Sequence, residues 1–449
     1  MARLKEAFVC QSCGAFAPKW QGQCPACGEW NTLLAELSPA PGAARGARPL
    51  RREPPVSLAE EATQEPARLS TGSAELDRVL GGGLVPGSVT LIGGDPGIGK
   101  STLMLQSAAA LPAAGPVLYA TGEESLKQVA LRARRLGLES AAARLIAETQ
   151  VESIIEAAAS LKARTLIVDS IQTMYSERIE AAPGAVSQLR EGTAELVRFA
   201  KSSGTAVLLV GHVTKEGQIA GPRVLEHMVD TVLYFESDTG SRYRVLRSVK
   251  NRFGAANEIG VFAMLEQGLR EVSNPSAIFL SRHAEPVPGS AVTVLREGTR
   301  SLLIEVQVLA DASLAANPRR VAVGIDANRL NMLLAVAHRH AGLALAGQDV
   351  FANVVGGVRL AETAGDLAIV LAARSSLNDS PLPQSLIVFG ELGLAGEIRP
   401  VPFGEERLRE AAKHGFRSAV VPEANVPRRL PEGMSVRGVR RLSEALDAV

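Results

Sequence analysis

The sequence predicts an α/β fold with a mostly parallel sheet, preceded by a small cysteine-rich module. Apolar runs of strand length alternate with helical patterns, for example at residues 125–136 and 185–202, and this alternation places helices on both faces of a parallel sheet. A buried strand at residues 88–93 leads directly into a glycine-rich loop and a helical pattern. All four cysteines lie within the first 27 residues.

Composition excludes several classes of protein. The net charge is +1 over 449 residues, so no global basic field marks a nucleic-acid binder, and any such contact must come from local patches. No uncharged apolar run reaches the roughly 18 residues that a bilayer-spanning helix needs, and the first residues lack an apolar signal core. We therefore expect a cytoplasmic protein without a membrane partner.

The cysteines form two pairs, each followed by a glycine: Cys10-x-x-Cys13 with Gly14, and Cys24-x-x-Cys27 with Gly28. Two such turns supply four thiolates, the tetrahedral ligand set of a structural zinc. Two disulfides or a redox dithiol are the alternatives, but a cytoplasmic chain disfavours disulfides and a redox pair needs no duplicate nearby. A module of about 30 residues also needs such a cross-link to hold its fold.

Residues 38–67 have the composition of a linker. They contain six prolines among alanine, glycine, arginine and glutamate, a mixture that cannot bury a core. Four arginines in this stretch (Arg45, Arg48, Arg51 and Arg52) are either phosphate contacts or solvated side chains, and we favour the latter. The predicted domains are therefore a module at 1–37, a linker at 38–67, an α/β domain at 68–273 and a further domain at 274–449.

Order resumes with a short helix before the buried strand. Ser73 can cap a helix that carries Leu76 and Leu80 and ends at three successive glycines, residues 81–83. The strand at 88–93 then leads into the loop Gly94-Asp95-Pro96-Gly97-Ile98-Gly99-Lys100-Ser101, and a helix follows from Thr102.

This loop matches the P-loop pattern in its required strand–loop–helix context. Its backbone N–H groups can surround phosphates, Lys100 can reach the β and γ oxygens, and Ser101 can offer its hydroxyl to Mg²⁺. A glycine-rich turn without a ligand is the alternative, which the context argues against. The sequence thus predicts ATP and Mg²⁺ as cofactors.

Polar residues at the ends of later strands complete the predicted site. Asp169 ends an apolar strand in the Walker B pattern and would bind Mg²⁺ through water. Glu123 and Glu124 end another strand, where one carboxylate could orient the attacking water; an acidic pair at that place can equally be a helix N-cap neighbourhood. His212 ends a further strand at the position of a γ-phosphate sensor, although a single histidine there is more often structural.

Several motifs together resemble the bacterial RadA (Sms) family of RecA-superfamily ATPases. They are the four-cysteine head, the Leu69-Ser-Thr-Gly lead-in with its glycine run, the P-loop, and Lys250-Asn251-Arg252-Phe253-Gly254, which matches the KNRFG motif of that family. The resemblance covers the chain apart from the linker. It implies a DNA-stimulated ATPase that moves recombination intermediates as a homohexamer on single-stranded and branched DNA, with the RecA recombinase as a further partner.

Lys250 and Arg252 follow every element that builds the nucleotide site within one chain. Cations placed at the γ-phosphate stabilise the charge that develops during phosphoryl transfer. The P-loop occupies one side of the nucleotide, so we expect these two side chains to reach a neighbouring subunit's nucleotide. Without the family motif, a strand end with solvated basic tips would be the commoner interpretation.

The carboxy-terminal part, from about Asn274, resembles the proteolytic domain of Lon, an α+β domain. Lon cleaves with a serine–lysine dyad. Arg407 stands where its lysine would fall, and residues 361–367 contain no serine where its nucleophile would fall. Since arginine stays protonated near neutral pH, it cannot act as the base that activates a hydroxyl, and we expect a scaffold for oligomerisation or DNA binding.

Two segments are candidates for DNA contact because the corresponding loops line the centre of RecA-like rings. They are residues 174–192 and 215–229, with Arg178, Arg190, Lys215 and Arg223, glycines at Gly184, Gly217 and Gly221, and Tyr175 as the nearest aromatic. Basic, glycine-bearing loops suit contacts to phosphates without sequence preference. Ordinary surface loops are the alternative.

Two other functions remain open at this point. A signalling ATPase of the KaiC kind shares the lead-in, the P-loop and the paired glutamates, although the four-cysteine head and the Lon-like tail argue against it. An ATP-dependent protease is disfavoured by Arg407 and the absent serine. The residues do not decide which of Glu123 and Glu124 is the base, nor the size of the ring, its direction of travel or the preferred DNA structure.

Overall fold

The computed structural model describes residues 5–10, 15–17, 19–38, 67–212, 223–237, 242–281, 285–314 and 317–449. The chain divides into two compact units, Met1–Val272 and Ser273–Val449. Within the described residues, no helix combines the length and the apolar character that crossing a membrane requires.

A small antiparallel sheet lies at the amino terminus. Its strands are β1 (Lys5–Cys10), β2 (Phe16–Ala17) and β3 (Leu33–Ser38), in the order β2-β1-β3. Among the residues of this module whose burial is described, Cys10, Ala17, Cys24 and Leu33 are the buried apolar ones. Two of these are cysteines, so the thiols lie inside the module.

A nine-stranded sheet forms the centre of the first unit, in the order β12-β11-β10-β9-β4-β8-β7-β5-β6. Its strands are β4 (Val89–Gly93), β5 (Val117–Thr121), β6 (Arg144–Ala147), β7 (Thr165–Asp169), β8 (Ala206–Val210), β9 (Thr231–Glu236), β10 (Tyr243–Asn251), β11 (Ile259–Leu265) and β12 (Gly268–Glu271). Strands β4 to β9 pair in parallel, and β9 to β12 pair antiparallel. Strands β4, β5, β7 and β8 are buried at every residue, which explains their uninterrupted apolar sequences.

Helices cover both faces of this sheet, as the alternation of patterns predicts. They are α1 (Ala74–Leu80), α2 (Lys100–Ala110), α3 (Leu126–Arg135), α4 (Val151–Leu161), α5 (Val186–Ser203) and α6 (Arg223–Met228). Two separate apolar clusters lie on the two sides, one around α1 and α2 and the other around α4 and α5. Ser73 caps α1 by accepting a hydrogen bond from the Leu76 N–H, and Gly81 ends the helix with φ 82°.

The second unit contains a seven-stranded mixed sheet in the order β15-β16-β14-β13-β17-β20-β21, with a separate hairpin of β18 and β19. The strands are β13 (Ser290–Glu297), β14 (Arg300–Ala312), β15 (Arg320–Val323), β16 (Gln348–Val354), β17 (Leu386–Val388), β18 (Glu391–Leu392), β19 (Ile398–Arg399), β20 (Ser418–Pro422) and β21 (Ser435–Val439). The helices are α7 (Ala327–Ala341), α8 (Asp366–Leu377), α9 (Gly404–Lys413) and α10 (Leu442–Leu446). The predicted fold class is confirmed.

Candidate nucleotide-binding site

The P-loop lies between the carboxyl end of β4 and the amino end of α2. Gly97 and Gly99 have φ values of 79° and 120°, which residues with a Cβ rarely adopt. Helix α2 begins at Lys100, so its unpaired N–H groups and its positive dipole face the loop. The predicted phosphate site is therefore formed by backbone that only this glycine pattern allows.

Lys100 is the buried cation of this loop, with 3% of its surface exposed. Its Nζ donates to the carbonyls of Gly94 at 2.6 Å and Asp95 at 2.8 Å. Burial lowers the pKa of Lys100 to about 8, while the carboxylates of Asp169, Glu123 and Asp95 act in the opposite direction. A phosphate beside this amine would favour the charged form, because opposite charges at close range stabilise each other.

Asp169 ends β7 and is 7% exposed. It pairs in register with Thr121 at the end of β5 and Val210 at the end of β8, and its Oδ2 accepts a hydrogen bond from the Tyr119 hydroxyl. The Asp169 carboxylate and the Ser101 hydroxyl offer hard oxygen ligands, which suit Mg²⁺.

The two glutamates of the predicted pair have different surroundings. The Oε1 atom of Glu123 lies 2.9 Å from Nε2 of His212 and accepts a hydrogen bond from the Ser170 hydroxyl. Glu124 instead forms an ion pair with Arg132 of α3. Within the part of the chain that the structure describes, the Glu123 carboxylate contacts residues that follow β7 and β8, and the Glu124 carboxylate does not.

His212 also connects two loops of this edge. Its carbonyl accepts a hydrogen bond of 3.3 Å from Nε2 of Gln172, which lies in the turn after β7. Among the described residues, His212 Nδ1 and Gln172 Oε1 are buried side-chain atoms without a hydrogen-bond partner. Buried polar atoms usually have a hydrogen-bond partner. These two atoms can therefore form further hydrogen bonds at this edge of the sheet.

Lys250 and Arg252 do not approach the P-loop of their own chain. The Nζ of Lys250 donates to the carbonyls of Glu226 at 2.7 Å and Val229 at 2.8 Å, at the carboxyl end of α6. Partial burial and the neighbouring Arg252 lower the pKa of Lys250. Arg252 forms an ion pair of 3.3 Å with Asp230, and 57% of its side chain is exposed.

Strand register shows how far this turn is from the P-loop. Strand β9 runs parallel to β4, and its residue Thr231 pairs with Thr90 on one side and Asn251 on the other. Asp230 forms hydrogen bonds with the backbone N–H and carbonyl of Val89, at the amino end of β4. The backbone N–H of Arg252 donates to the Asp230 carbonyl. Five residues of strand separate this level from Gly94, about 16 Å at 3.3 Å per residue, which is more than an arginine side chain can span.

The turn after β10 packs on the end of α1. A Cβ on Gly254 would lie 2.9 Å from the Gly81 Cα, so both positions require glycine. The side chain of Asn251 donates to the Val79 carbonyl, and Arg68 donates to the Phe253 carbonyl at 2.7 Å. The glycine run and the KNRFG sequence, which are far apart in the chain, therefore form one contact.

Three cysteines of the amino-terminal module lie together. The Sγ atoms of Cys10, Cys24 and Cys27 all lie within 4.8 Å of one another, and those of Cys10 and Cys27 are 3.7 Å apart. That separation is too long for a disulfide and is close to the roughly 3.8 Å between sulfurs on a tetrahedral zinc with Zn–S bonds of about 2.3 Å. Cys13, the predicted fourth ligand, lies outside the described residues.

Purified protein should contain one zinc per chain, measurable by elemental analysis. Cys24→Ser should abolish zinc retention and unfold the module, because the buried Cys10 and Cys24 would both hold the metal. The thermal transition of the nucleotide-binding domain should persist, because the sequence predicts a linker at residues 38–67. Protein without zinc and with four titratable thiols would contradict this expectation.

Arg407, at the place of the Lon lysine, contacts the 361–367 segment in which the resemblance places the Lon serine. Arg407 is fully buried, and its guanidinium donates two hydrogen bonds of 2.7 Å to the Glu362 carboxylate. It also donates to the carbonyls of Pro402 and Val294. With its donors used in this way, the buried Arg407 guanidinium forms an ion pair with Glu362.

Glu362→Gln should lower the free energy of unfolding of the second unit by about 3–5 kcal/mol, because it leaves the Arg407 charge buried and uncompensated. Urea titration of the full chain measures this change. Glu405→Gln is a matched control, since the Glu405–Arg409 pair is exposed on both sides and should contribute little. Equal, small changes for both variants would show that the buried pair does not stabilise the unit.

The candidate DNA segments are only partly loops. Residues 186–192 belong to α5, and residues 213–222, including Lys215, Gly217 and Gly221, lie outside the described residues. Arg178 already forms an ion pair with Glu195. The buried Gln188 amide donates to the carbonyls of residues 176, 179 and 181 and so holds this loop in a folded form.

Sequence patterns alone did not identify four residues of this site: Tyr119, Ser170, Arg132 and Arg244. Tyr119 hydrogen-bonds to Asp169, and Arg132 pairs with Glu124. Ser170 contacts Glu123. Arg244 donates to the Ile98 carbonyl of the P-loop at 3.2 Å. Only Ser170 had a sequence signal, its place directly after Asp169. The others come from strand pairing and helix packing.

Three families match parts of the chain. They are an AAA domain at residues 54–218, a rubredoxin metal binding domain at residues 8–34, and the subunit ChlI of Mg-chelatase at residues 308–425. The first places an ATPase domain over the P-loop, and the second agrees with the cysteine cluster. The chain is an ATP-hydrolysing enzyme.

Curated relatives match over the whole length. DNA repair protein RadA of Pseudomonas aeruginosa is 58% identical, and the match covers 100% of both chains. The RadA proteins of Escherichia coli and Bacillus subtilis are 57% and 49% identical, with 98% and 99% of each chain covered. The predicted family resemblance is confirmed: the chain belongs to the RadA family of DNA repair proteins.

Proposed function

We propose that this protein is a DNA-stimulated ATPase that forms a ring on single-stranded or branched DNA and extends heteroduplex during recombinational repair. The observation that carries the proposal is the position of the Lys250–Arg252 turn, about 16 Å from the P-loop of the same chain along the strands. A cation of this turn can reach a nucleotide only in a second copy. We further propose a homohexamer in the cytoplasm that works with the RecA recombinase, as the sequence resemblance implies.

Within one subunit, the P-loop from Gly94 to Thr102 binds the ATP phosphates and Lys100 neutralises their charge. Ser101 and Asp169 would hold Mg²⁺, which supplies charge stabilisation at the transferring phosphoryl group. Glu123 orients the attacking water and accepts its proton. The Glu123–His212 contact of 2.9 Å and the salt bridge that occupies Glu124 both support this assignment.

DNA contact is assigned to the edge that follows β7 and β8. The sequence candidates Lys215, Gly217 and Gly221 follow β8 and lie outside the described residues. Arg178 is neutralised by Glu195.

The second unit serves as a scaffold for assembly or DNA binding and does not hydrolyse peptides. Arg407 stands where the resemblance places the Lon lysine, and its ion pair with Glu362 of the 361–367 segment supports this proposal. Casein incubated with the protein and ATP should remain intact, and its degradation would restore the protease hypothesis.

The decisive measurement is the ATPase rate without DNA, with single-stranded DNA and with forked DNA. Stimulation by either DNA supports the proposal. A rate that DNA does not change, accompanied by phosphorylation of the protein itself, would favour the KaiC-like alternative.

A further inference from the structure

Tyr119 is a buried tyrosine next to the proposed magnesium ligand. It lies on β5 with 1% of its surface exposed, opposite Ile167 of β7. Asp169 lies two residues beyond Ile167 and so projects from the same face of the sheet. The Tyr119 hydroxyl donates to Asp169 Oδ2, so a side chain of β5 contacts the carboxylate that ends the neighbouring strand β7.

The hydrogen bond from Tyr119 commits one oxygen of the Asp169 carboxylate. Burial, followed by the charge of Asp169 and the hydrogen bond to it, raises the pKa of Tyr119 well above its ordinary value. Arg132 and Glu124 act on this pKa in opposite directions, and they pair with each other.

We propose that Tyr119 is a positioning residue of the ATPase site, which fixes the Asp169 carboxylate so that its other oxygen, Oδ1, would be available to hold Mg²⁺. A carboxylate on a single rotatable side chain would otherwise sample several orientations, and each would hold the ion less well. The inference rests on the proposed role of Asp169.

The test uses the full chain, Mg²⁺ and a fluorescent ADP analogue. Tyr119→Phe removes only the hydroxyl. The Mg²⁺ concentration for half-maximal tightening of nucleotide binding should rise about tenfold, the lower end of the range for residues that orient a metal ligand. Nucleotide affinity in EDTA should stay unchanged, because the P-loop is intact.

Tyr234→Phe is the matched control. Tyr234 lies on β9 of the same sheet, away from the proposed ion site. Its hydroxyl also donates to a carboxylate, that of Glu226, at 2.6 Å. This variant should keep the Mg²⁺ dependence of the unsubstituted protein. Equal Mg²⁺ dependence in Tyr119→Phe, or an equal loss of affinity with and without Mg²⁺, would overturn the inference.

Asp169→Asn separates the two proposals. If it leaves the Mg²⁺ dependence unchanged, the proposed role of Asp169 itself fails. If Asp169→Asn weakens Mg²⁺ binding, Tyr119→Phe is then added to that variant. A further loss of Mg²⁺ affinity as large as in the original chain would show that the two residues act independently, and only the inference about Tyr119 would fail. A much smaller added loss supports it.

A second measurement leaves Tyr119 in place, in case Tyr119→Phe lowers the Tm. The chain has four tyrosines, so their ¹³Cζ resonances can be assigned by substituting the other three. Asp169→Asn should shift the Tyr119 resonance and leave that of Tyr234 in place. A Tyr119 resonance that does not respond would overturn the contact.

Discussion

Arg252→Ala should bind nucleotide normally and hydrolyse it about 10³–10⁵-fold more slowly, the range for arginine fingers. The Arg252 side chain is more than half exposed and lies at the end of the sheet away from its own P-loop, so its loss should not disturb nucleotide binding in the same chain. Lys250→Ala should lower turnover similarly, although it also removes two hydrogen bonds to the end of α6. Steady-state ATPase rates and nucleotide titrations measure both quantities.

Lys201→Ala is the matched control for this experiment. Lys201 donates to the same carboxylate, Asp230 Oδ2, at 2.9 Å, so its removal costs Asp230 one partner without touching the turn after β10. Turnover near that of the unsubstituted protein is expected. If Lys201→Ala is as inactive as Arg252→Ala, the effect belongs to Asp230 and not to a finger.

Mixed assemblies test whether the turn acts between subunits. Arg252→Ala chains and Lys100→Ala chains should each be inactive alone. Mixed rings should regain activity wherever an intact P-loop faces an intact Arg252. Mixtures that exchange subunits but show no ATPase activity would show that Arg252 does not act across the interface.

Glu123→Gln should lower turnover by about 10²–10⁴-fold while nucleotide binding persists, the range for a general base. The substitution keeps the size of the side chain and its contact with Ser170 but removes the acceptor charge. Glu124→Gln is the built-in control, because its carboxylate pairs with Arg132 on α3; we expect most of the activity to remain. Single-turnover hydrolysis compares the two, and the reverse order of activities would reassign the base to Glu124.

Much of this site follows from local sequence because its chemistry depends on backbone geometry. The glycine spacing of the P-loop and the apolar strand before Asp169 are properties of consecutive residues, and the family to which they point is confirmed by relatives over the full chain. The alternation of strands and helices likewise predicts the parallel sheet, because period and burial are local signals. Cys10 and the Cys24–Cys27 pair come together as their spacing predicts.

What the sequence left open depends on contacts between distant residues. Glu123 and Glu124 are neighbours of the same type, and only the packing of α3 and the end of β8 separates their surroundings. The Tyr119–Asp169 contact exists because β5 and β7 are adjacent in the sheet, although 50 residues separate the two in the chain.

The sequence by itself determined the family, the P-loop, the cysteine module and the alternation of the fold, since each rests on short-range spacing and backbone preference. Tertiary structure alone decided that the turn after β10 lies at the far end of the sheet from its own P-loop and that Arg407 pairs with Glu362. Strand order and register set those distances. Both depend on the burial of whole sheet faces, which involves residues far apart in the chain and cannot be read from a short segment.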